Sequence, residues 1–163
     1  MKLRDYQVAP ADKIERLLRD EFRSAGDFSD MGTGKTYVAC EVIRRLELGT
    51  LVVCPKVSRE AWLRVGKDIG TEFDVINWEM VRTGRTPYGQ MERVGGGYRF
   101  VWNRDVQMVV FDEAHNGCGM TSLNSKLIMA ARSQRLRTLA ITATPAESPL
   151  QLKALGYLLG LHN

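Results

Sequence analysis

The sequence predicts an α/β domain, a mostly parallel sheet with helices on both faces. Two observations carry this. Short β-branched apolar runs alternate with longer stretches of helical periodicity, as strands buried on both sides require. The unusual residues, a Gly-Lys-Thr loop and two adjacent carboxylates, fall where parallel sheets hold ligands, at the carboxyl ends of strands. The 163 residues suit one domain and are enough to bury a sizeable core. Apolar residues at 44% and charged residues at 26% exclude wholesale disorder.

Taken in order, residues 11–22 place Ile14, Leu17, Leu18 and Phe22 on one face of a predicted amphipathic helix, with Gly26 beyond its end. Residues 36–48 repeat the pattern with Val38, Val42 and Leu46 beside Ala39 and Ile43, and Gly49 is the expected stop. Residues 51–54, closed by Pro55, read as a buried strand. Ser58 is expected to cap a helix carrying Ala61, Trp62, Val65 and Ile69. Residues 73–78, 106–111 and 139–142 read as strands, the second most strongly. Ser125 is expected to cap a helix through Leu127, Ile128 and Ala131. A last helix is marked by Ser148 as cap, Pro149 at its first position and Gln151 completing a capping box. Its apolar residues, from Leu150 and Leu152 through Leu155, Tyr157, Leu158 and Leu159 to Leu161, run nearly all round. It is expected to pack on more than one surface, or simply in the core.

Several classes are excluded. No apolar run approaches the roughly 20 residues that span a bilayer. The N-terminus has no apolar stretch after its charges, so no signal peptide is expected. Cys40, Cys54 and Cys118 form no CxxC pair, so neither a disulfide scaffold nor a zinc site is expected, and a reducing, cytosol-like compartment is the default. His115 and His162 are too few to suggest a metal cluster.

Residues 29–36, Ser-Asp-Met-Gly-Thr-Gly-Lys-Thr, stand directly before a helix. Glycines let backbone amides approach phosphates, and a helix N-terminus adds partial positive charge. Lys35 would reach the β- and γ-phosphates, and the Thr36 hydroxyl would ligate magnesium. Ser29 occupies the place where the usual pattern has its first glycine, and the strand expected before the loop is weak. A glycine-rich turn opening an ordinary helix is the plain alternative. Residues 108–111 then run into Asp112-Glu113-Ala114-His115. Two carboxylates at the end of an apolar strand are costly unless something pairs with them. A magnesium–nucleotide complex would, with Asp112 holding the metal and Glu113 orienting or deprotonating the attacking water. The alternative is a solvated acidic turn.

Together these motifs resemble the first RecA-like domain of superfamily 2 helicases and translocases, a P-loop NTPase fold. Leu3-Arg4-Asp5-Tyr6-Gln7 resembles the adenine-reading Q motif, and residues 29–36 the phosphate loop. Val52-Val53-Cys54-Pro55-Lys56 is similar to the motif along the nucleic-acid strand, residues 112–115 to the DEAH box, and Thr142-Ala143-Thr144-Pro145 to the coupling motif. The opening, the Asp-Met-Gly loop and Asn124-Ser125-Lys126 most resemble the Swi/Snf-type group of duplex-DNA translocases, phage members included, although that group often reads Thr-Gly-Thr-Pro at 142–145.

The resemblance implies ATP and Mg2+ as cofactors, with Arg4, Tyr6, Gln7, Met31, Gly32, Thr33, Gly34, Lys35 and Thr36 on the nucleotide. Lys35, Asp112 and Glu113 would be catalytic, with Thr36 and Asp112 on the metal. His115, Thr142 and Thr144 would couple the site to nucleic acid, DNA favoured over RNA, and Pro55 and Lys56 would touch it. For Gln7, His115 and the two threonines, ordinary local roles stand beside these.

Residues 82–104 hold five arginines (Arg82, Arg85, Arg93, Arg99 and Arg104) against one glutamate, with Tyr88, Tyr98, Trp102 and three successive glycines. This stretch reads as a loop or flexible hairpin rather than core, suited to a phosphate backbone or simply a solvated basic surface. Lys126, Arg132, Arg135 and Arg137 form a second basic group. A complete motor of this kind has a second RecA-like domain that supplies arginines to the site. The chain is expected to be the single N-terminal one, needing the second on another chain or by self-association. The resemblance therefore implies the ATP-binding half of a nucleic-acid-dependent motor, without a membrane, in a bacterial or phage-infected cytoplasm. The alternative is a non-catalytic, nucleotide-gated module that binds nucleic acid or a partner.

Overall fold

The computed structural model describes residues 2–19, 22–117, 123–144 and 152–161, with the side chains of Arg82 and Leu152 outside that description. Five strands form a wholly parallel sheet in the order β1-β8-β7-β2-β3. They are β1 (Ser24–Asp27), β2 (Thr50–Cys54), β3 (Asp74–Asn77), β7 (Met108–Asp112) and β8 (Arg137–Ile141). A second, antiparallel sheet holds β4 (Arg85–Thr86), β5 (Gly89–Val94) and β6 (Gly97–Trp102).

Alternation along the strands divides the core into two layers. On β2, Val52 and Cys54 point to one face, where they meet α1 (Asp5–Arg19), α2 (Lys35–Leu46) and α3 (Arg59–Ile69). Leu51 and Val53 point to the other, where they meet α4 (Trp78–Arg82), α5 (Leu123–Ser133) and α6 (Leu152–Leu158). The predicted architecture, helices on both faces of a parallel sheet, is therefore the one observed.

Individual elements depart from expectation for identifiable reasons. The first helix starts at Asp5, six residues early, with Pro10 inside it. Pro10 lies exposed, where water can take the carbonyl that a proline leaves unpaired. Phe22, expected on that helix's apolar face, lies beyond its end and is exposed. Helix α2 ends at Leu46 and is capped by Glu47, in the left-handed region at φ 53°, rather than stopped by Gly49. Gly49 has another duty, because a Cβ there would collide with the Asp105 carbonyl. Ser58 precedes α3 but makes no capping hydrogen bond, since a 3-10 turn (Lys56–Ser58) already carries helical geometry into the helix. Ser125 is no cap either. It is buried within α5. Trp78 does not close a strand but opens α4, where the Asn77 side chain accepts from the Met80 N–H at 2.9 Å. Ser148, Pro149 and Gln151 lie outside the described residues. Helix α6 buries Ala154, Leu155 and Leu158 while Leu161 stays exposed, so it packs one face against α5 and its layer.

The largest difference is at 82–104. This stretch is not a loose loop. Gly95 and Gly96, at φ 56° and 84°, make a two-residue turn between paired β5 and β6, the geometry a tight hairpin needs. Phe100 and Trp102 are fully or almost fully buried and belong to the core. Gln134 clasps the outer edge of β6, accepting from Trp102 N at 2.9 Å and donating to Phe100 O at 2.8 Å.

Helices α1 and α2 are joined by charge. Arg45 pairs with Asp12, Glu15 and Glu41 at 2.7–3.0 Å. The Arg44 guanidinium, followed by Arg45, holds the Glu41 carboxyl down to about 2 against the opposing effect of burial. A carboxyl depressed on folding stabilises above its unfolded value, here 4.5, and loses that contribution as pH falls towards 2. Glu41→Gln should therefore lower the urea midpoint at pH 6 and cost progressively less as the pH falls below about 4.5, a difference that urea unfolding at several pH values will measure.

Candidate nucleotide-binding site

Adjacent strands β1, β8, β7 and β2 end on one edge of the sheet. There they deliver, in that order, the glycine loop, Thr142, Asp112 and the Pro55–Lys56 turn. Gly32 and Gly34 take φ of 79° and 82°, a left-handed conformation that turns successive amides inward and that glycine adopts without strain. Gly34 is the N-cap of α2. Ser29, the departure from the glycine pattern, ties the loop together. Its hydroxyl donates to the Asp27 carboxylate at 2.7 Å and lies 2.9 Å from the Thr33 hydroxyl. The Lys35 ammonium donates to the carbonyls of Ser29 and Asp30, both at 2.7 Å, and so points along the loop's inner side. Met31 is exposed at the loop's crest.

Gln7 is buried against this loop. Its amide nitrogen donates to Thr33 O at 3.3 Å and its oxygen accepts from Arg4 N at 3.0 Å. Arg4, Tyr6, Gln7, Gly32 and Gly34 line one cleft of about 180 Å³ together with Lys2 and Tyr37. Tyr37 joins them although the motifs alone do not mark it; its place one residue past Thr36 is the sequence signal for it. A Cβ on Gly34 would collide with the Gln7 amide, and at φ 82° any side chain is strained as well. Gly34→Ala is expected to cost about 1–2 kcal/mol in urea unfolding and to weaken binding of a fluorescent ADP analogue.

On the acidic strand end, both Asp112 oxygens are engaged. Oδ2 accepts from the Trp62 indole at 2.8 Å and Oδ1 from Glu113 N at 3.0 Å, while the main-chain oxygen accepts from the Trp78 indole at 2.9 Å. Burial raises the Asp112 carboxyl above its ordinary value and the neighbouring Glu113 charge adds to this. The Trp62 hydrogen bond opposes it, as does the positive charge of Lys35. The loop that carries Lys35 follows β1 and Asp112 ends β7, the two strands that flank β8. Glu113 sits at φ 51°, unusual for a residue with a side chain. Its Oε2 lies 3.2 Å from His115 Nδ1 and accepts from the Thr142 hydroxyl at 3.4 Å. His115 Nδ1 and Thr142 Oγ1 are 3.0 Å apart. Thr144 donates its N–H to the same hydroxyl at 3.1 Å.

The chain's likeness to known proteins agrees with this geometry. No protein-family model matches it. It is 29% identical over 154 residues to a protein of Acanthamoeba polyphaga mimivirus named "Putative ATP-dependent RNA helicase L364", covering 82% of this chain and 28% of that one. The crystal structure of the Pyrococcus furiosus Hef helicase domain superposes with a TM-score of 0.58 over 97% of this chain and 36% of that one, at 17% identity. The fold is that of a helicase RecA-like domain. The chain spans about a third or less of the length of either protein.

In this RecA-like fold the residues expected at nucleic acid are not gathered on one surface. Pro55 and Lys56 follow β2, on the same edge as the glycine loop. The hairpin register splits the arginines. Arg93 opposes Tyr98 and shares a face with Phe100, whereas Arg99 opposes Glu92 and shares the outer face with Gln90 and Arg85. The Arg82 side chain lies outside the described residues. Cys40 and Cys54 are buried free thiols, each pushed up to about 12 chiefly by burial, and so are inert at neutral pH. No described helix is long and apolar enough to cross a membrane.

Proposed function

We propose that this domain binds ATP with magnesium as the motor half of a nucleic-acid-dependent ATPase of the helicase or translocase kind. The observation that carries the reading is the placement of the Lys35 loop and Asp112 on one sheet edge, after strands β1 and β7 on either side of β8, with Glu113, His115 and Thr142 in one hydrogen-bonded group there. The mimivirus relative supports it.

The residues suit the cofactor. The open backbone at Gly32, where a Cβ would meet nothing within 4 Å, leaves room for phosphate oxygens. The Thr36 hydroxyl makes no hydrogen bond among the described residues, and with the Asp112 carboxylate it offers the oxygen donors that magnesium prefers. When bound, the magnesium nucleotide supplies the phosphoryl group and neutralises its charge. Lys35 leaves the loop carbonyls for phosphate oxygens. The cleft at Tyr6, Gln7 and Tyr37 takes the base. Glu113 orients the attacking water and accepts its proton. His115 and Thr142 carry the state of Glu113 to the coupling segment.

Arginines from a second RecA-like domain complete the site and raise turnover by about 10³–10⁵-fold. Lys56 and the arginines of the outer hairpin face, Arg85 and Arg99, contact nucleic acid, and Arg93, on the opposite face, does not join them. Duplex DNA is the favoured substrate on the Swi/Snf-type motifs, while the relative's name points to RNA. The test is ATP hydrolysis and fluorescent-ADP binding by the chain, with no nucleic acid, duplex DNA or RNA, using Lys35→Ala as the blank. Binding lost in the blank, with turnover that rises on one nucleic acid, is the expected result. Equal binding by both proteins overturns the reading.

A further inference from the structure

We propose that Trp62 is a positioning residue whose indole N–H fixes the Asp112 carboxylate for cation binding. The proposal rests on the reading above that Asp112 ligates magnesium. Trp62 lies on α3, fifty residues before Asp112, and is 1% exposed. Its ring is held edge-on by Phe73, with centroids 5.9 Å apart at 88°. Because the ring is fixed, the direction of its N–H is fixed too. That N–H meets Asp112 Oδ2 at 2.8 Å, while Glu113 N meets Oδ1 at 3.0 Å. With a donor on each oxygen the carboxylate has one orientation. Each oxygen keeps a free lone pair for a cation.

The choice of donor matters. An arginine or lysine at this place would neutralise the carboxylate and compete with a metal. An indole is a neutral donor without acceptor capacity, so it orients the group and leaves its charge available. Partners that orient a metal ligand commonly contribute about tenfold or more to metal affinity. Trp78 steadies the same residue through its main-chain oxygen, whereas the Trp62 indole bonds the carboxylate itself.

The test is Trp62→Phe, which keeps an aromatic ring and removes the N–H. Fluorescent-ADP affinity is measured in magnesium chloride and in EDTA, with thermal unfolding to confirm the fold. The wild-type protein should bind more tightly in magnesium, and the variant should lose about tenfold of that enhancement while its affinity in EDTA holds. In an Asp112→Asn background the second substitution should change nothing further. Equal weakening in magnesium and EDTA would mean a purely structural role and would overturn the proposal.

Should the variant fail to fold, the wild type itself answers by NMR. Its three tryptophans give three distinct indole signals: one on a carboxylate, one on a carbonyl, and Trp102, whose buried Nε1 has no hydrogen-bond partner among the described residues. Adding magnesium to the ADP-bound protein should move the Trp62 signal and leave Trp102 in place. A stationary Trp62 signal while magnesium tightens nucleotide binding overturns the positioning role alone. Absence of nucleotide binding overturns the parent reading and this proposal with it.

Discussion

Glu113→Gln should leave nucleotide bound and cut nucleic-acid-stimulated hydrolysis by about 10²–10⁴-fold, the range a positioned general base contributes. The substitution is nearly isosteric, so the contacts of Oε2 with Thr142 and His115 can be partly kept while the basic oxygen is lost. The carboxylate stands in this group because the backbone is turned to φ 51°, a conformation that costs about 1–2 kcal/mol for a residue with a Cβ. Such a cost persists where the surroundings over-determine it. Binding of a fluorescent ATP analogue and steady-state phosphate release, measured on the same preparation, separate the two effects. Wild-type turnover by the variant would remove Glu113 from the chemistry.

The second large effect concerns stability. Phe111 is fully buried in the central strand β7, stacked on Trp78 at 5.7 Å and 22° and edge-on to Trp102 at 6.4 Å. Phe111→Ala opens a cavity where β7, α4 and β6 meet, and should cost about 3–5 kcal/mol. That is a large share of the roughly 5–15 kcal/mol holding an ordinary domain together. Urea unfolding will read it as a lower midpoint. Phe111→Leu should cost markedly less. Because Phe111 precedes Asp112 and supports the ring that bonds its carbonyl, nucleotide affinity should fall together with stability.

Much of this was legible in the residues, and for physical reasons. Backbone amides near a phosphate demand glycine, and a carboxylate pair at the end of a buried strand demands a counter-charge, so both features are written in residue types. Motif order brings His115 towards Thr142 or Thr144 without choosing between them, and His115 Nδ1 lies 3.0 Å from Thr142 Oγ1. What periodicity could not show is the direction of a polar atom on an apolar residue. Trp62 fits the buried stripe of α3, and nothing in that pattern reveals that its N–H reaches Asp112. The small sheet was obscured by composition. Glycines and arginines outweighed the period-two alternation of Tyr98, Phe100 and Trp102, which marks β6 once the turn at Gly95–Gly96 is known. Pro10 similarly masked the first turns of α1, since a proline reads as a boundary until its surface position is seen.

The order β1-β8-β7-β2-β3 has a consequence for dynamics. Strand β1, which carries the glycine loop, lies at the edge of the sheet and has one ladder partner, whereas β7, which carries the carboxylates, is clamped between two. Opening the sheet at β1 breaks one set of hydrogen bonds; opening it at β7 breaks two. Amide hydrogen exchange should therefore proceed through sub-global opening at residues 24–27 well before it reaches 108–112. A ligand that grips the loop raises the free energy of that opening by mass action, so protection at β1 will report occupancy even where the global unfolding midpoint barely moves.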